Sequence, residues 1–182
     1  NEYGLTDQGS GDLTTYETEA EVYEALGLPY IPPEMREDLG EIAAAESGEM
    51  PVLVELTDIR GDLHVHSDWS DGRVPLEEMV REAKSRGLQY VAMTDHSSGR
   101  GIANGLSVER LAAHNKEVEE VQALVGGIRV FKGSEVDIRA DGTLDYTDDE
   151  LAELDIVIAS IHSGMSQPSD VMTARIIKAI EN

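Results

Sequence analysis

The sequence predicts an α/β protein built around parallel strands. From residue 52 onward, short segments rich in Val, Ile and Leu alternate with longer amphipathic segments, which gives the order β-α-β-α-β-α-β-α. This order favours a parallel sheet or a barrel. Hydrophobic residues make up 40% of the chain and aromatic residues only 4%. We therefore expect a core of ordinary size, formed mainly by Val, Ile, Leu and Ala.

The elements of this region follow from hydrophobic periodicity and from signals at their ends. Pro75 suits the first turn of a helix, Gly87 a helix end, and Ser107 a helix N-cap. The elements expected are one or two strands over 52–66, a helix over 75–87, a strand over 88–96, a helix over 107–127, a strand over 128–138, a helix over 147–154, a strand over 155–164 and a helix over 169–182.

The region before residue 52 has a different character. Residues 1–58 carry fifteen acidic residues and one basic residue, whereas residues 59–182 carry 22 acidic and 13 basic residues. The elements expected in the first region are a polar loop over 6–19, a short helix over 18–28 capped by Thr18, a proline-rich segment over 29–35 that cannot be α-helical, and a linker or frayed helix over 36–50.

Composition excludes several classes of site. The chain has no cysteine, so disulfides, thiolate metal sites and cysteine nucleophiles are impossible, and a reducing cytoplasm is the expected location. No apolar run approaches the roughly 20 residues that span a bilayer. A GxSxG elbow, a phosphate-binding P-loop and a GxGxxG turn after a strand are all missing from the sequence.

The net charge of −23 is the strongest compositional signal. Such a charge usually argues against nucleic-acid binding, which depends on basic surface. However, the basic residues are ten Arg and only four Lys. An acidic, lysine-poor surface is typical of halophilic proteins, in which molar salt screens the self-repulsion. In that case net charge says little about the substrate; the alternative is a merely acidic cytosolic protein.

Polar residues of one chemical kind follow each predicted strand. They are His64, His66 and Asp71 after the first, Asp95 and His96 after the second, Glu135 and Asp137 near the end of the third, and His162 after the fourth. His64 and His66 face the same way because side chains alternate along a strand. Each signal alone has an ordinary explanation, such as a polar strand face. The remaining histidine, His114, lies in mid-helix and is expected at the surface.

Taken together, these residues predict a metal site. The carboxyl ends of parallel strands meet at one rim, and imidazole with carboxylate suits divalent ions. The candidate ligands are His64, His66, Asp71, His96, Glu135 and His162. Six ligands exceed the four of one tetrahedral zinc, so we expect clustered ions, an arrangement that hydrolyses phosphate esters. Arg73, Arg100 and Arg139 lie beyond strand ends and are candidate phosphate ligands; ordinary surface arginines are the alternative.

Four motifs resemble those of the PHP (polymerase and histidinol phosphatase) superfamily of metal-dependent phosphoesterases. They are DLHVHSDWSDG, VAMTDHS, GSEVDI and ASIHSG. The resemblance implies a distorted (β/α)7 barrel, here partial, with two or three Mn²⁺ or Zn²⁺ ions. It implies that His64, His66 and Glu135 share one ion, that Glu135 and His162 hold a second, and that Asp71 and His96 hold a third. Asp95, Glu135 and His162 are the implied catalytic candidates, with Asp95 supporting the ligands.

The segments IANGLSVERL and EVDIRADGTLDYTDDELAELDIVIASIHSGMSQ resemble the PHP domain of bacterial and archaeal family X DNA polymerases more closely. Residues 1–50 resemble the tail of a polymerase thumb followed by a linker, and residues 51–182 the first part of the PHP domain. The chain is thus expected to be a fragment, truncated at both ends, that lacks the family's later histidine and Asp-x-His.

The resemblance implies 3′-5′ exonuclease or 3′-end processing activity in DNA repair. The implied partners are DNA 3′ ends and the polymerase domain of the same parent chain, with no membrane partner. The fragment alone is not expected to be fully active. Alternatives are a small-molecule phosphatase of the histidinol-phosphate type and a non-catalytic metal-bound module that supports the polymerase. An amide hydrolase using the same rim has no positive support in the sequence.

Overall fold

The computed structural model describes residues 4–99 and 101–181. The chain divides between Val54 and Glu55 into two compact units, the first running from the N-terminus and the second to the C-terminus. Among the described residues, no helix combines the length and the apolar character needed to cross a membrane.

The first unit opens with a short antiparallel strand pair, β1 (Leu5–Thr6) and β2 (Leu13–Thr14). Asp7 builds the turn between them, since its Oδ1 accepts hydrogen bonds from the backbone N–H groups of Gly9 and Ser10, both at 2.8 Å. The polar loop predicted over 6–19 therefore contains a strand. A capping aspartate supplies the hydrogen bonds of the turn, and hydrophobic alternation does not reveal such a turn.

Two helices follow in this unit, α1 (Glu19–Ala25) and α2 (Glu41–Ser47), with a 3-10 turn at Pro33–Met35 between them. Thr18 caps α1 as predicted, and Glu21 completes a capping box. The segment predicted as a linker or frayed helix thus contains one helix of two turns.

The second unit is a four-stranded parallel sheet with helical connections, as the sequence predicts. Its elements are β3 (Gly61–Val65), α3 (Leu76–Ser85), β4 (Tyr90–Met93), α4 (Val108–Val125), β5 (Arg129–Asp137), α5 (Asp148–Leu151), β6 (Ile156–Ser160) and α6 (Ser169–Ile180). The strands are adjacent in chain order, β3-β4-β5-β6, and every pair is parallel. This is the architecture expected of an incomplete (β/α) barrel.

The strands are shorter than their apolar runs. Residues 52–60 form no strand, because pairing begins only where Gly61 meets Tyr90. Val52 and Leu56 are consequently exposed. β4 ends at Met93, so Asp95 and His96 lie just beyond it, as the sequence predicts. Gly61 allows the close β3–β4 contact, since a Cβ atom there would lie 2.1 Å from the Tyr90 ring.

Two clusters of buried apolar side chains hold the helices against the sheet. The first joins α3 and α4 to β4 and β5, and its members include Leu76, Val80, Met93, Val118 and Val121. Burying each such side chain contributes about 1.5–3 kcal/mol. The second lies under the loops after β4 and β5 and includes Leu106, Leu111, Val136, Ile138 and Tyr146. Trp69 packs against both clusters.

The surface position expected for His114 is wrong, because its side chain is completely buried. The buried residues of α4 are Leu111, His114, Val118, Val121 and Val125. Their spacing of three and four residues is that of an amphipathic helix, and His114 occupies one position of the apolar stripe. This periodicity was the available signal, and it points to a buried histidine with a specific partner.

Candidate metal centre

Backbone pairing beyond the strand ends brings the site residues together. The Thr94 N–H donates to the Val65 carbonyl at 2.7 Å, and the Val65 N–H donates to Thr94 Oγ1 at 3.0 Å. On the other side, the Glu135 N–H donates to the Thr94 carbonyl at 3.0 Å, and the Ser97 N–H to the Glu135 carbonyl at 2.9 Å. Thr94 therefore links the ends of β3 and β5, and the residues that follow reach one rim.

The Glu135 carboxylate lies at the centre of four imidazoles. Its Oε2 atom is 3.2 Å from His64 Nε2, His66 Nε2 and His96 Nδ1, and its Oε1 atom is 3.1 Å from His162 Nε2. The predicted shared face of His64 and His66 is confirmed, since both rings reach the same oxygen. Glu135 itself is buried.

Asp71 brings a second carboxylate from the turn after β3. Its Oδ1 lies 2.8 Å from His66 Nδ1 and its Oδ2 lies 3.4 Å from His96 Nε2. Gly72 permits this turn, because a Cβ atom at that position would lie 2.5 Å from the Ser67 carbonyl oxygen. We call the six residues that meet here the rim cluster: His64, His66, Asp71, His96, Glu135 and His162.

The rim cluster contains three overlapping groups whose ligand atoms lie within 4.8 Å of one another. They are His64 with His66 and Glu135, His66 with Asp71 and His96, and His96 with Glu135 and His162. Two ligands that each lie about 2.1 Å from a tetrahedral ion are about 3.4 Å apart. Each group contains a carboxylate-to-imidazole distance of 3.1–3.4 Å, which suits atoms that share an ion, whereas Asp71 Oδ1 and His66 Nδ1 at 2.8 Å are hydrogen-bonded.

Two buried nitrogen atoms support this interpretation. His66 Nε2 and His96 Nδ1 make no hydrogen bond within the part of the chain that the structure describes. Both approach Glu135 Oε2 to 3.2 Å, but without the geometry of a hydrogen bond. Buried polar atoms almost always have a partner. Lone pairs that converge on one point with a carboxylate oxygen fit a divalent ion of the borderline class.

The local pKa values favour the protonation states that bind metal. Burial lowers the pKa of His96, which keeps the imidazole neutral and its nitrogen lone pair available. Burial raises the pKa of the Glu135 carboxyl, but hydrogen bonds from Ser160 and His64 outweigh it, and the pKa lies below its usual value. At Asp71 burial also raises the pKa, but the hydrogen bond to His66 and the electrostatic interactions with His96 and His66 together outweigh it, so the pKa is again lowered.

Asp137 orients one of the imidazoles, a role that was not predicted from the sequence. Its Oδ1 is 2.6 Å from His162 Nδ1, which leaves His162 Nε2 directed at Glu135. A carboxylate behind a histidine fixes the tautomer and raises the basicity of a metal ligand. The alternation of Glu135 and Asp137 on one face of β5 was the signal that could have identified this pair.

Asp95 does not face the rim cluster. Its Oδ1 accepts hydrogen bonds from the Ser67 N–H, the Ser70 N–H and the Ser70 hydroxyl, at 2.9, 3.0 and 2.6 Å. Its Oδ2 accepts one from the Ser67 hydroxyl at 2.8 Å and lies 3.1 Å from His114 Nε2. We call these four residues the Asp95 network: Asp95, Ser67, Ser70 and His114. Burial raises the pKa of Asp95, and its hydrogen bonds to His114 and Ser70 outweigh that effect.

The candidate phosphate ligands are less closely gathered. Arg73 is exposed on the turn that precedes α3. Arg139 lies after β5, where its Nε is 3.1 Å from Asp145 Oδ1, and its Nη2 donates to the Asp145 carbonyl at 3.1 Å. Arg100 lies outside the described residues.

Comparison with known families agrees with this geometry. The profile of the family described as "PHP domain" matches residues 62–180, which include the whole rim cluster. The chain belongs to the PHP domain family. A second profile, described as "DNA polymerase beta thumb", matches residues 1–37.

Relatives of two kinds are similar to this chain. The DNA polymerase/3'-5' exonuclease PolX of Bacillus subtilis (strain 168) is 47% identical over 183 residues, which cover 100% of this chain and 32% of the relative. A protein named "Probable phosphatase" from Thermoanaerobacter sp. (strain X514) is 37% identical over 128 residues, 66% of this chain and 49% of the relative. A "Probable phosphatase" from Caldicellulosiruptor saccharolyticus is 38% identical over 110 residues, 59% of this chain and 44% of the relative. The chain thus spans about a third to a half of these relatives.

Proposed function

We propose that this PHP domain is the metal-dependent phosphoesterase of a family X DNA polymerase and hydrolyses phosphodiesters at DNA 3′ ends. The observation that carries the proposal is the Glu135 carboxylate surrounded by four imidazoles at 3.1–3.2 Å. Similarity to PolX along the full length of the chain supports the polymerase context. Within it we assign residues 1–50 to a thumb tail and linker and residues 51–182 to the first part of the PHP domain.

We assign two or three divalent ions, Mn²⁺ or Zn²⁺, to the three groups of the rim cluster. His64, His66 and Glu135 would hold one, Glu135 and His162 a second, and Asp71 and His96 a third. Such ions, when bound, generate a nucleophile from water near neutral pH and neutralise the charge of a phosphate ester. The two carboxylates of the cluster offset the ions' charge, and the neutral imidazoles supply lone pairs without adding to it.

The protein residues around the cluster would bind and orient the substrate. Arg73 is exposed and available to a phosphate oxygen. The Arg139 side chain is partly exposed, although its Nε and Nη2 atoms donate hydrogen bonds to Asp145. The strongly acidic remainder of the chain would repel DNA at low salt. We therefore propose a cytoplasmic halophilic DNA-repair enzyme that works where molar salt screens this repulsion.

The test is to replace His64 and His66 by Ala in the full-length protein that carries this sequence. The release of nucleotides from single-stranded DNA by the Mn²⁺-loaded protein should fall by more than about 100-fold, since even outer partners of metal ligands cost 10–100-fold. The matched control is Asp68→Ala, an exposed carboxylate in the same turn that lies outside the rim cluster. Unaltered exonuclease activity in the double variant would refute the assignment.

A second candidate is a small-molecule phosphatase, which the relatives named "Probable phosphatase" favour. The unaltered full-length protein separates the two functions when DNA and a small phosphomonoester are compared as substrates, and the double variant should lose whichever activity the rim cluster supports. Hydrolysis of the phosphomonoester alone would select the phosphatase. Stoichiometric metal without turnover of either substrate would select a non-catalytic module that supports the polymerase.

A further inference from the structure

One face of α4 contacts the turn that carries Asp71. Arg110, His114 and Glu117 are spaced by four and three residues, so they lie on the same side of the helix. Arg110 and Glu117 contact the turn Ser67–Asp71 through Trp69, and His114 contacts the Asp95 carboxylate, which is hydrogen-bonded to that turn. None of them belongs to the rim cluster.

Trp69, in the middle of this turn, is held at both its backbone and its ring. Its carbonyl oxygen accepts hydrogen bonds from Arg110 Nη2 and from Asn104 Nδ2, and the Arg110 guanidinium lies 5.7 Å from the centre of its ring. Its indole Nε1 donates to Glu117 Oε2 at 2.7 Å. The His114 ring meets the indole edge-to-face, with centroids 5.8 Å apart and planes at 87°.

His114 also supports the turn from below through Asp95. His114 Nε2 and Asp95 Oδ2 are 3.1 Å apart. Because an ionised carboxylate only accepts hydrogen bonds, His114 must be protonated on Nε2 and donate this bond. Asp95 passes this constraint to the turn by accepting the N–H groups and hydroxyls of Ser67 and Ser70. The result is a chain of contacts from the middle of α4 to the residue immediately before Asp71.

The other nitrogen of His114 shows that this placement has a cost. Nδ1 is buried and has no hydrogen-bond partner among residues 4–99 and 101–181. An unsatisfied buried polar atom lowers the stability of the fold. The neighbouring inward positions of α4 hold Leu111 and Val118, which fill the core without that cost. An apolar residue could therefore pack at position 114, and the specific gain from histidine is its bond to Asp95.

Asp71 depends on this support because it has little of its own. Its side chain is 47% exposed, and its closest partners are the imidazoles of His66 and His96. We propose that Arg110, His114 and Glu117 are positioning residues that hold the turn so that Asp71 completes its group with His66 and His96. The consequence for catalysis rests on the proposed phosphoesterase function, whereas the consequence for metal binding does not.

Trp69 is the only tryptophan in the chain and therefore a direct probe of the turn. The experiment compares His114→Leu, His114→Gln and the matched control Lys116→Gln, an exposed position two residues along the same helix. Two quantities are measured on the full-length protein. They are the accessibility of Trp69 to acrylamide without metal, and the affinity of each class of Mn²⁺ site by calorimetry. If that protein has further tryptophans, the fluorescence of its Trp69→Phe variant is subtracted.

We expect His114→Leu to raise the quenching of Trp69 and to weaken one class of Mn²⁺ site by about 10–100-fold, as loss of outer-shell partners does elsewhere. His114→Gln, which can donate an amide N–H to Asp95, should restore most of both signals, and Lys116→Gln should change neither. If His114→Leu fails to fold, Arg110→Met, which keeps the stem but loses the bonds to Trp69, replaces it with the same expectation.

Equal Trp69 quenching and equal Mn²⁺ affinity in His114→Leu and Lys116→Gln would overturn the inference, as would equal weakening of every Mn²⁺ site. Neither readout uses DNA hydrolysis, so an inactive parent protein would refute the proposed function and leave this test intact. Conversely, an active parent with unchanged readouts would refute only the positioning role.

Discussion

The rim cluster and the Asp95 network contain the same kinds of side chain but satisfy them in opposite ways. In the network one carboxylate receives four hydrogen bonds from two serines and lies against one imidazole. In the rim cluster one carboxylate faces four imidazoles, and two of their buried nitrogens have no hydrogen bond among the described residues.

This difference is the one expected between a structural carboxylate and the metal-binding carboxylate that we propose. A buried carboxylate whose oxygens all accept hydrogen bonds stabilises the folded state. Its loss leaves several buried donors without a partner. A carboxylate among converging lone pairs contributes less to folding and is arranged for a ligand. We therefore expect loss of the Asp95 carboxylate itself to act mainly on stability, and substitutions in the rim cluster to act mainly on metal binding and activity.

The largest expected effect is that of Glu135→Gln. Gln keeps the volume of Glu135 but removes the charge shared by the groups of the rim cluster. Mn²⁺-dependent activity should fall by more than about 100-fold, while the free energy of unfolding without metal changes by less than about 1 kcal/mol. Activity assays and urea unfolding measure the two quantities, with Glu82→Gln on the outer face of α3 as control. A large loss of stability would erase the contrast between the two regions.

Asp95→Ala is the reciprocal test. It leaves the N–H groups and hydroxyls of Ser67 and Ser70 and the Nε2 of His114 without their acceptor. We expect the free energy of unfolding to fall by about 3 kcal/mol or more, because each buried donor without a partner costs about 1–3 kcal/mol. Urea unfolding of the metal-free protein measures it, and Asp68→Ala is the exposed control. A change below that of the control would contradict the structural role of Asp95.

The smallest effect is expected for Asp137→Asn. This variant tests whether a carboxylate behind a histidine of the rim cluster affects metal binding, as the cluster does, or only stability, as Asp95 does. Asn can still contact His162 Nδ1, at present 2.6 Å from Asp137 Oδ1, but without the negative charge that strengthens a histidine ligand. Mn²⁺ affinity should fall by about 10-fold to at most 100-fold. Calorimetry measures this, with Asp141→Asn as the exposed control in the following turn. Unchanged affinity would remove Asp137 from the metal centre.

The order of elements was largely readable from the sequence because it depends on neighbours along the chain. Periodicity predicted α3, α4 and α6, and the caps at Thr18 and Ser107 are confirmed. Strand ends were less accurate, since β3 begins at Gly61 only where Tyr90 is available to pair. The strand pair near Asp7 was missed because a single capping carboxylate forms its turn.

The sequence by itself determined the parallel α/β order and the residue types that end each strand, because periodicity, capping and ligand chemistry are local properties. Only the tertiary structure decided which carboxylate faces the histidines and which is enclosed by serines. His114 and Asp95 are 19 residues apart, and Asp137 and His162 are 25 residues apart, so these pairs form only when the strands and α4 pack together. Contacts of that range, and the burial that gives them their effect, exist only in the folded protein.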